Sequence, residues 1–317
     1  MNSSLKSASQ PSLLVGILMC TFNGARYLNE QLKSIAEQSY KNWHLYISDD
    51  GSTDRTLEIL RDFQSRYGEN RIVICEGPKQ GSTKNFLSLA YRFHQQCDYF
   101  AFCDQDDIWH EDKLSRAIKF LGSPIKKYPS LYCSSTTYIN QFGDYLQESY
   151  IFKKPPSFKN SLVQSIAGGN TMVFNKVAAS LLAKTPFSSK LEAHDWWLYI
   201  LTAGCGGQVY YDPEPSVDYR QHSGALVGEN RTLCAKYIRI KKLLDGRFRG
   251  WNDKNIEALT DFVDQLTAEN LKTLSWFYKI KFQSLLIRIY SFFCSGIRRQ
   301  TFMGNVALFI GVLLKKI

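Results

Sequence analysis

The first hundred residues of the chain alternate short apolar runs with stretches of helical period, and a polar loop follows each apolar run. Residues 13–19 form an apolar run fit for a buried parallel strand. Residues 25–38 carry Leu28, Leu32, Ile35 and Ala36 at helical spacing. Residues 43–48 predict a second strand. Ser52, Thr53 and Asp54 then offer N-caps to a helix that turns Leu57, Leu60, Phe63 and Tyr67 inward and stops at Gly68. Residues 71–75 read as a third strand, 85–94 as a third helix and 99–103 as a fourth strand. Strands separated by single helices require right-handed crossovers, hence an α/β fold with a mainly parallel sheet flanked by helices. Ligands of such sheets bind beyond the carboxyl ends of the strands. The loops after Met19, Ser48, Cys75 and Cys103 are therefore the ones to inspect.

Those loops are rich in chemistry. Cys20-Thr21-Phe22-Asn23-Gly24 follows the first strand, and Asp49-Asp50-Gly51-Ser52-Thr53-Asp54 the second. A stretch from Gly77 to Asn85 containing Lys79 and Lys84 follows the third, and Asp104-Gln105-Asp106-Asp107-Ile108-Trp109 the fourth. Three carboxylates within four residues raise one another's pKa and need compensation. A divalent cation, Mg²⁺ or Mn²⁺, is the simplest compensator, because it prefers carboxylate oxygen and takes further ligands from substrate phosphates. The plain alternative is a solvated acidic turn in which Asp107 or Glu111 caps the next helix.

With His194-Asp195-Trp196-Trp197 and Tyr219-Arg220-Gln221-His222-Ser223-Gly224, these loops form an ordered set. Over roughly residues 12–230 the chain resembles the family 2 glycosyltransferases of GT-A fold, and within them the bacterial rhamnosyltransferases of surface polysaccharide synthesis. The resemblance implies an inverting transferase that takes a sugar, best matched by L-rhamnose from dTDP-L-rhamnose, to a saccharide or polyprenyl-diphosphate-linked acceptor in O-antigen or capsule synthesis. It implies donor binding by Thr21, Phe22, Asn23, Asp49, Asp50, Lys84, Asp104, Gln105 and Arg220. Phe22 would wall the base, and Asp50, with Asp49, would accept hydrogen bonds from base and ribose, as suits an acceptor-only carboxylate. Asp104, Asp106 and His222 would hold Mg²⁺ or Mn²⁺. Asp195 would be the general base for the acceptor hydroxyl; its plain alternative is the N-cap of the helix it opens. Gly169, Asn170 and Trp196 would border the acceptor, although the tryptophans suit a core equally well. A loop from Ser223 to Arg231 would be a lid. Transferases of other nucleotide sugars (GlcNAc, glucose, galactose) share most of these features.

Charge divides the chain. Residues 1–230 hold 23 basic and 23 acidic side chains, so the whole net charge of +10 comes from residues 231–317, with 16 basic and 6 acidic. A uniformly basic nucleic-acid binder does not have this distribution, and a polyanion binder acting through the tail is the alternative from another functional class. The division predicts a GT-A domain over 1–230 and a helical basic region over 231–317. In the latter, residues 277–295 show a narrow polar stripe of Lys281, Ser284, Arg288, Ser291 and Ser295, and nearly everything else is apolar. That pattern predicts an anchor at an anionic membrane surface, or else a helical unit packed on the catalytic domain or on a second subunit. The longest uncharged run, residues 300–314, falls short of the about 20 residues a spanning helix needs. No signal peptide is evident, and the eight cysteines show no C-x-x-C pair. The expectation is a cytoplasmic enzyme peripheral to the inner membrane, with no nucleic-acid partner.

Overall fold

The computed structural model describes residues 13–122, 126–166, 168–221 and 247–317. Strands β1 (Val15–Thr21), β2 (Trp43–Asp49), β3 (Ile72–Glu76) and β4 (Tyr99–Cys103) form where the apolar runs predict them. Helices α1 (Leu28–Ala36), α2 (Thr56–Tyr67) and α3 (Ser82–Phe93) separate them. β1 pairs in parallel with β2 and β4, and β2 with β3. The carboxyl ends therefore line up, with Thr21 beside Asp49 and Asp49 beside Glu76.

The sheet is completed by β6 (Ser130–Ser134), β9 (Val173–Asn175) and β10 (Gln208–Asp212), in the order β10-β6-β9-β4-β1-β2-β3. β9 runs antiparallel to both neighbours, the one departure from a parallel sheet. A second sheet of β5 (Ile108–Trp109), β11 (Val217–Arg220), β7 (Thr137–Ile139) and β8 (Tyr145–Glu148) branches off just after the Asp104–Asp107 loop.

Both faces of the main sheet are covered, which is why its strands are apolar without alternation. Val15, Ile17 and Met19 point to the side of α1, α2 and α4 (Lys113–Leu121), packing among Leu28, Leu60 and Leu114. Leu18, Cys20, Phe100 and Phe102 point to the other side. There they meet Phe86 of α3 and the helices α6 (Lys176–Ala183) and α7 (His194–Gly204). Helix ends are less regular than the sequence implies. Arg55, not one of the three predicted residues, is the N-cap of α2, while Gly68 ends that helix at φ 89° as expected.

The basic region contributes α8 (Arg247–Leu259), α9 (Ala268–Phe282), α10 (Leu285–Ser295) and α11 (Phe302–Leu313). Phe248, Ile256, Phe262, Phe277 and Val312 belong to the same hydrophobic cluster as Trp196 and Leu201 of α7. These helices share the core of the α/β unit. The boundary expected at 230/231 and the expected lid fall in residues 222–246, outside the described ones. The stripe over 277–295 does not lie on one helix: the backbone breaks at Gln283, and Ser284 is the N-cap of α10. Among the described residues no helix is long and apolar enough to cross a membrane. Seven of the eight cysteines are described, and all seven are free thiols.

Candidate active site

Parallel pairing brings the β1 and β2 loops together, and side chains then lock them. Asp49 is buried at the end of β2 and accepts from Thr21 Oγ1 at 2.8 Å, Ser52 Oγ at 2.6 Å and Ser52 N–H at 2.8 Å. Asn23, at φ 48°, takes the Thr53 N–H on Oδ1 at 2.8 Å and gives its own N–H to Ser52 Oγ at 2.8 Å. Asp50 ties in the third loop, accepting the Lys79 N–H at 2.6 Å and the Gly81 N–H at 2.9 Å. Each of its oxygens retains acceptor capacity.

The fourth loop joins through Gln105, whose carboxamide pairs with the Phe22 backbone like a neighbouring strand. Its Oε1 accepts the Phe22 N–H at 2.8 Å, and its Nε2 donates to the Phe22 carbonyl at 3.0 Å. This contact leaves the Phe22 ring 56% exposed over the crevice. A Cβ at Gly24 would collide with the Gln105 carboxamide, so the close approach requires glycine there.

Beneath these loops lies an acidic cluster. Asp107 is fully buried and caps no helix; Asp112 takes the N-cap position of α4. Its Oδ2 accepts from Asn170 Nδ2 at 2.6 Å and its Oδ1 from the Arg220 N–H at 3.1 Å. Burial, then the Asp106 charge, pushes the Asp107 carboxyl up to about 7. Burial, then the charges of Asp107, Asp106 and Asp195, pushes Asp104 well above the usual carboxylate range.

The counter-charge is Lys113, which sequence reading did not single out. Its ammonium is buried, donates to the Asn170 carbonyl and lies 4.0 Å from the centre of the Trp109 ring. Burial pulls it down to about 7, against the opposing pull of Cys103, Asp107 and Asp104. A sequence signal existed: Lys113, Ala117 and Leu121 share the buried stripe of α4, an unusual place for a lysine.

Asp195 comes from a different part of the chain and is half-buried. It sits in the first turn of α7, where a carboxylate complements the helix dipole. Ala193 is the N-cap, so the capping alternative does not apply to Asp195. Asp195 Oδ2 accepts the Gly169 N–H at 3.0 Å. Gly169 leaves just enough room: an added Cβ would lie 2.8 Å from His194 Nε2 and 3.3 Å from Asp195 Cβ.

Several expected contacts take supporting positions instead. Arg220 is 1% exposed, and its guanidinium serves the Asp106 carbonyl at 3.0 Å and Glu30 Oε2 at 2.7 Å. Lys84 reaches the carbonyls of Phe187 and Ser189, clamping that loop. Trp196 is buried with its indole N–H on the Ser161 carbonyl at 2.7 Å, and Gly169 and Asn170 are buried too. Tight packing occupies these side chains, which spacing alone does not register. His222 lies outside the described residues. Among the described residues no three acidic, His or Cys side chains make a ready cage for a cation.

Comparisons with known proteins bear on the family and the fold. Residues 16–181 match the family model "Glycosyl transferase family 2". The chain is 32% identical over 259 residues, 77% of its length and 85% of the relative's, to dTDP-rhamnosyl transferase RfbG of Shigella flexneri. It is 34% identical over 110 residues, 34% of the chain and 38% of the relative, to the putative glycosyltransferase EpsE of Bacillus subtilis. Among solved structures, residues 1–349 of S. aureus TarS in complex with UDP-GlcNAc superpose with a TM-score of 0.53 at 15% identity. That match covers 89% of this chain and 90% of TarS 1–349. The layered sheet and its flanking helices are thus the GT-A fold, and the chain belongs to glycosyl transferase family 2.

Proposed function

We propose that the chain transfers L-rhamnose from dTDP-L-rhamnose, with inversion, to a hydroxyl of a saccharide on a lipid diphosphate carrier. One observation carries the catalytic part. Asp107 and Asp195, 88 positions apart in sequence, are held by one turn, Asp195 by the Gly169 N–H and Asp107 by the Asn170 carboxamide. This shared turn supports a reading in which the D-x-D loop and the candidate base serve one site. The donor assignment rests on the 32% identity to a dTDP-rhamnosyl transferase over most of both chains.

In this reading Phe22 forms a wall for the base, and Asp50 uses its remaining acceptor capacity on base or ribose. Asp49 and Arg220 hold the loops in register. The acceptor hydroxyl gives its proton to Asp195 as its oxygen attacks the anomeric carbon. The bond from that carbon to the diphosphate oxygen breaks, and the nucleoside diphosphate leaves. The acidic cluster fits a divalent cation, because the carboxylates of Asp104 and Asp106 lie among like charges that a cation would offset. Both oxygens of Asp107 are engaged, so Asp104 and Asp106, with His222 if it reaches the site, would hold Mg²⁺ or Mn²⁺. Once bound, the cation would supply positive charge to the departing diphosphate.

The test is nucleotide release and transfer by the purified full chain with dTDP-L-rhamnose, UDP-GlcNAc, UDP-glucose and UDP-galactose, before and after chelation. dTDP-L-rhamnose should give the highest kcat/KM, and added Mg²⁺ or Mn²⁺ should restore activity lost to the chelator. Preference for a UDP-sugar would overturn the donor, and activity indifferent to chelation would overturn the cation.

A further inference from the structure

Helix α10 has its polarity reversed for a protein in water, and α11 is apolar on its buried and exposed sides alike. The stripe that the sequence presents as the wet face of α10 is the buried one: Arg288 is 7% exposed, and Ser291 and Ser295 are buried. The Arg288 guanidinium donates from Nη2 to the Leu313 carbonyl at 3.3 Å, while its Nε and Nη1 find no partner among the described residues. Lys281, at the end of α9, is also buried and pairs with Asp253 at 2.7 Å. The outward face carries Leu286 (80% exposed), Phe293 (69%) and Phe302 (79%), the last at the start of α11. Polar groups inside and large apolar groups outside is an arrangement favoured only where the surroundings are apolar.

Charge names the surroundings. Residues 270–317 contain eight Lys and Arg and no Asp or Glu. Lys272, Lys279 and Lys315 are exposed in this region. Trp276 meets Tyr290 edge to face at 5.8 Å, with the Lys279 ammonium 4.2 Å from the Trp276 ring centre. Aromatic rings with polar edges beside lysine suit the boundary between headgroups and acyl chains. A second copy of the chain would bring two surfaces rich in Lys and Arg together. The helices are too short to span.

We infer that the outer face of α10 and α11 docks on an anionic lipid bilayer, Leu286, Phe293 and Phe302 entering the acyl boundary and the lysines meeting the headgroups. This goes beyond the proposed reaction and holds whichever donor is used.

The test is flotation of the full chain with phosphatidylcholine vesicles, with and without phosphatidylglycerol. The chain should float only with phosphatidylglycerol, and less in raised salt. A triple variant, Leu286→Gln, Phe293→Gln and Phe302→Gln, should lose at least about tenfold in partitioning while keeping its unfolding temperature and donor binding. A second variant, Lys272→Glu, Lys279→Glu and Lys315→Glu, leaves the apolar face intact and should also lose binding. Absence of wild-type flotation, or flotation unchanged in both variants, would overturn the inference. So would a dimer in solution that the apolar variant dissociates, since that result assigns the face to a second copy.

Discussion

Asp195 and His194 are adjacent residues in opposite situations. Asp195 is half-buried, and in its proposed role as base Asp195→Asn, which keeps the shape and removes the base, should lower kcat by about 10²–10⁴. Donor affinity measured by calorimetry should stay unchanged; an equal loss in both would assign Asp195 to donor binding. His194 is sealed against Phe86, with ring centres 3.9 Å apart, and its Nε2 has no partner among the described residues. Burial pulls its pKa from 6.5 down to about 4. The folded state therefore keeps the ring neutral where the unfolded chain takes up a proton. Stability from this group is full above about pH 6.5 and is lost as pH falls towards 4. His194→Phe should reduce the fall in unfolding free energy over that window by on the order of 2–3 kcal/mol relative to wild type. Parallel pH profiles of the two proteins would show the imidazole is not responsible.

Elements divide into those that sequence pattern specifies and those that contacts specify. β1 to β4 and their helices are legible because β1, β2 and β4 are buried on both faces, the edge strand β3 is still an apolar run, and each helix buries one face, which leaves a trace in the sequence. The short 3₁₀ turn Gly169–Thr171 leaves none, yet it carries the N–H that holds Asp195 and the carboxamide that holds Asp107. A methyl group at Gly169 would press on His194 and Asp195. Gly169→Ala should thus cost about 1–3 kcal/mol of stability. It should also lower kcat by about tenfold or more as Asp195 is displaced. Thermal melting and steady-state kinetics check the two effects separately, and unchanged kcat would release Asp195 from this turn.

The basic region is continuous with the core of the whole molecule. Phe277, Ile280, Leu308, Val312 and Ile317 lie in the cluster that holds Trp197 and Phe102. Removing residues 276–317 would uncover that cluster, at roughly 1.5–3 kcal/mol for each large side chain lost from it. The truncated chain should lose cooperative unfolding or fall into the insoluble fraction. A truncated protein that melts like the full chain would show that the α/β unit is stable without these helices. Membrane docking is therefore better read from surface substitutions than from truncation.

The sequence alone determined the α/β order, the loops that carry chemistry, the family resemblance and the concentration of positive charge in the last 87 residues. Each of these is a local pattern, written in periodicity, spacing or composition. Only the tertiary structure decided which polar side chains are taken up by neighbouring loops. Asp49, Lys84, Arg220 and Trp196 read as contacts in sequence and are engaged by neighbouring loops in the fold. Lys113 read as nothing and is the buried counter-charge of the acidic cluster. The direction of the stripe on α10 was also settled there. Periodicity shows that a helix has two faces, and packing alone determines which of them is turned inward.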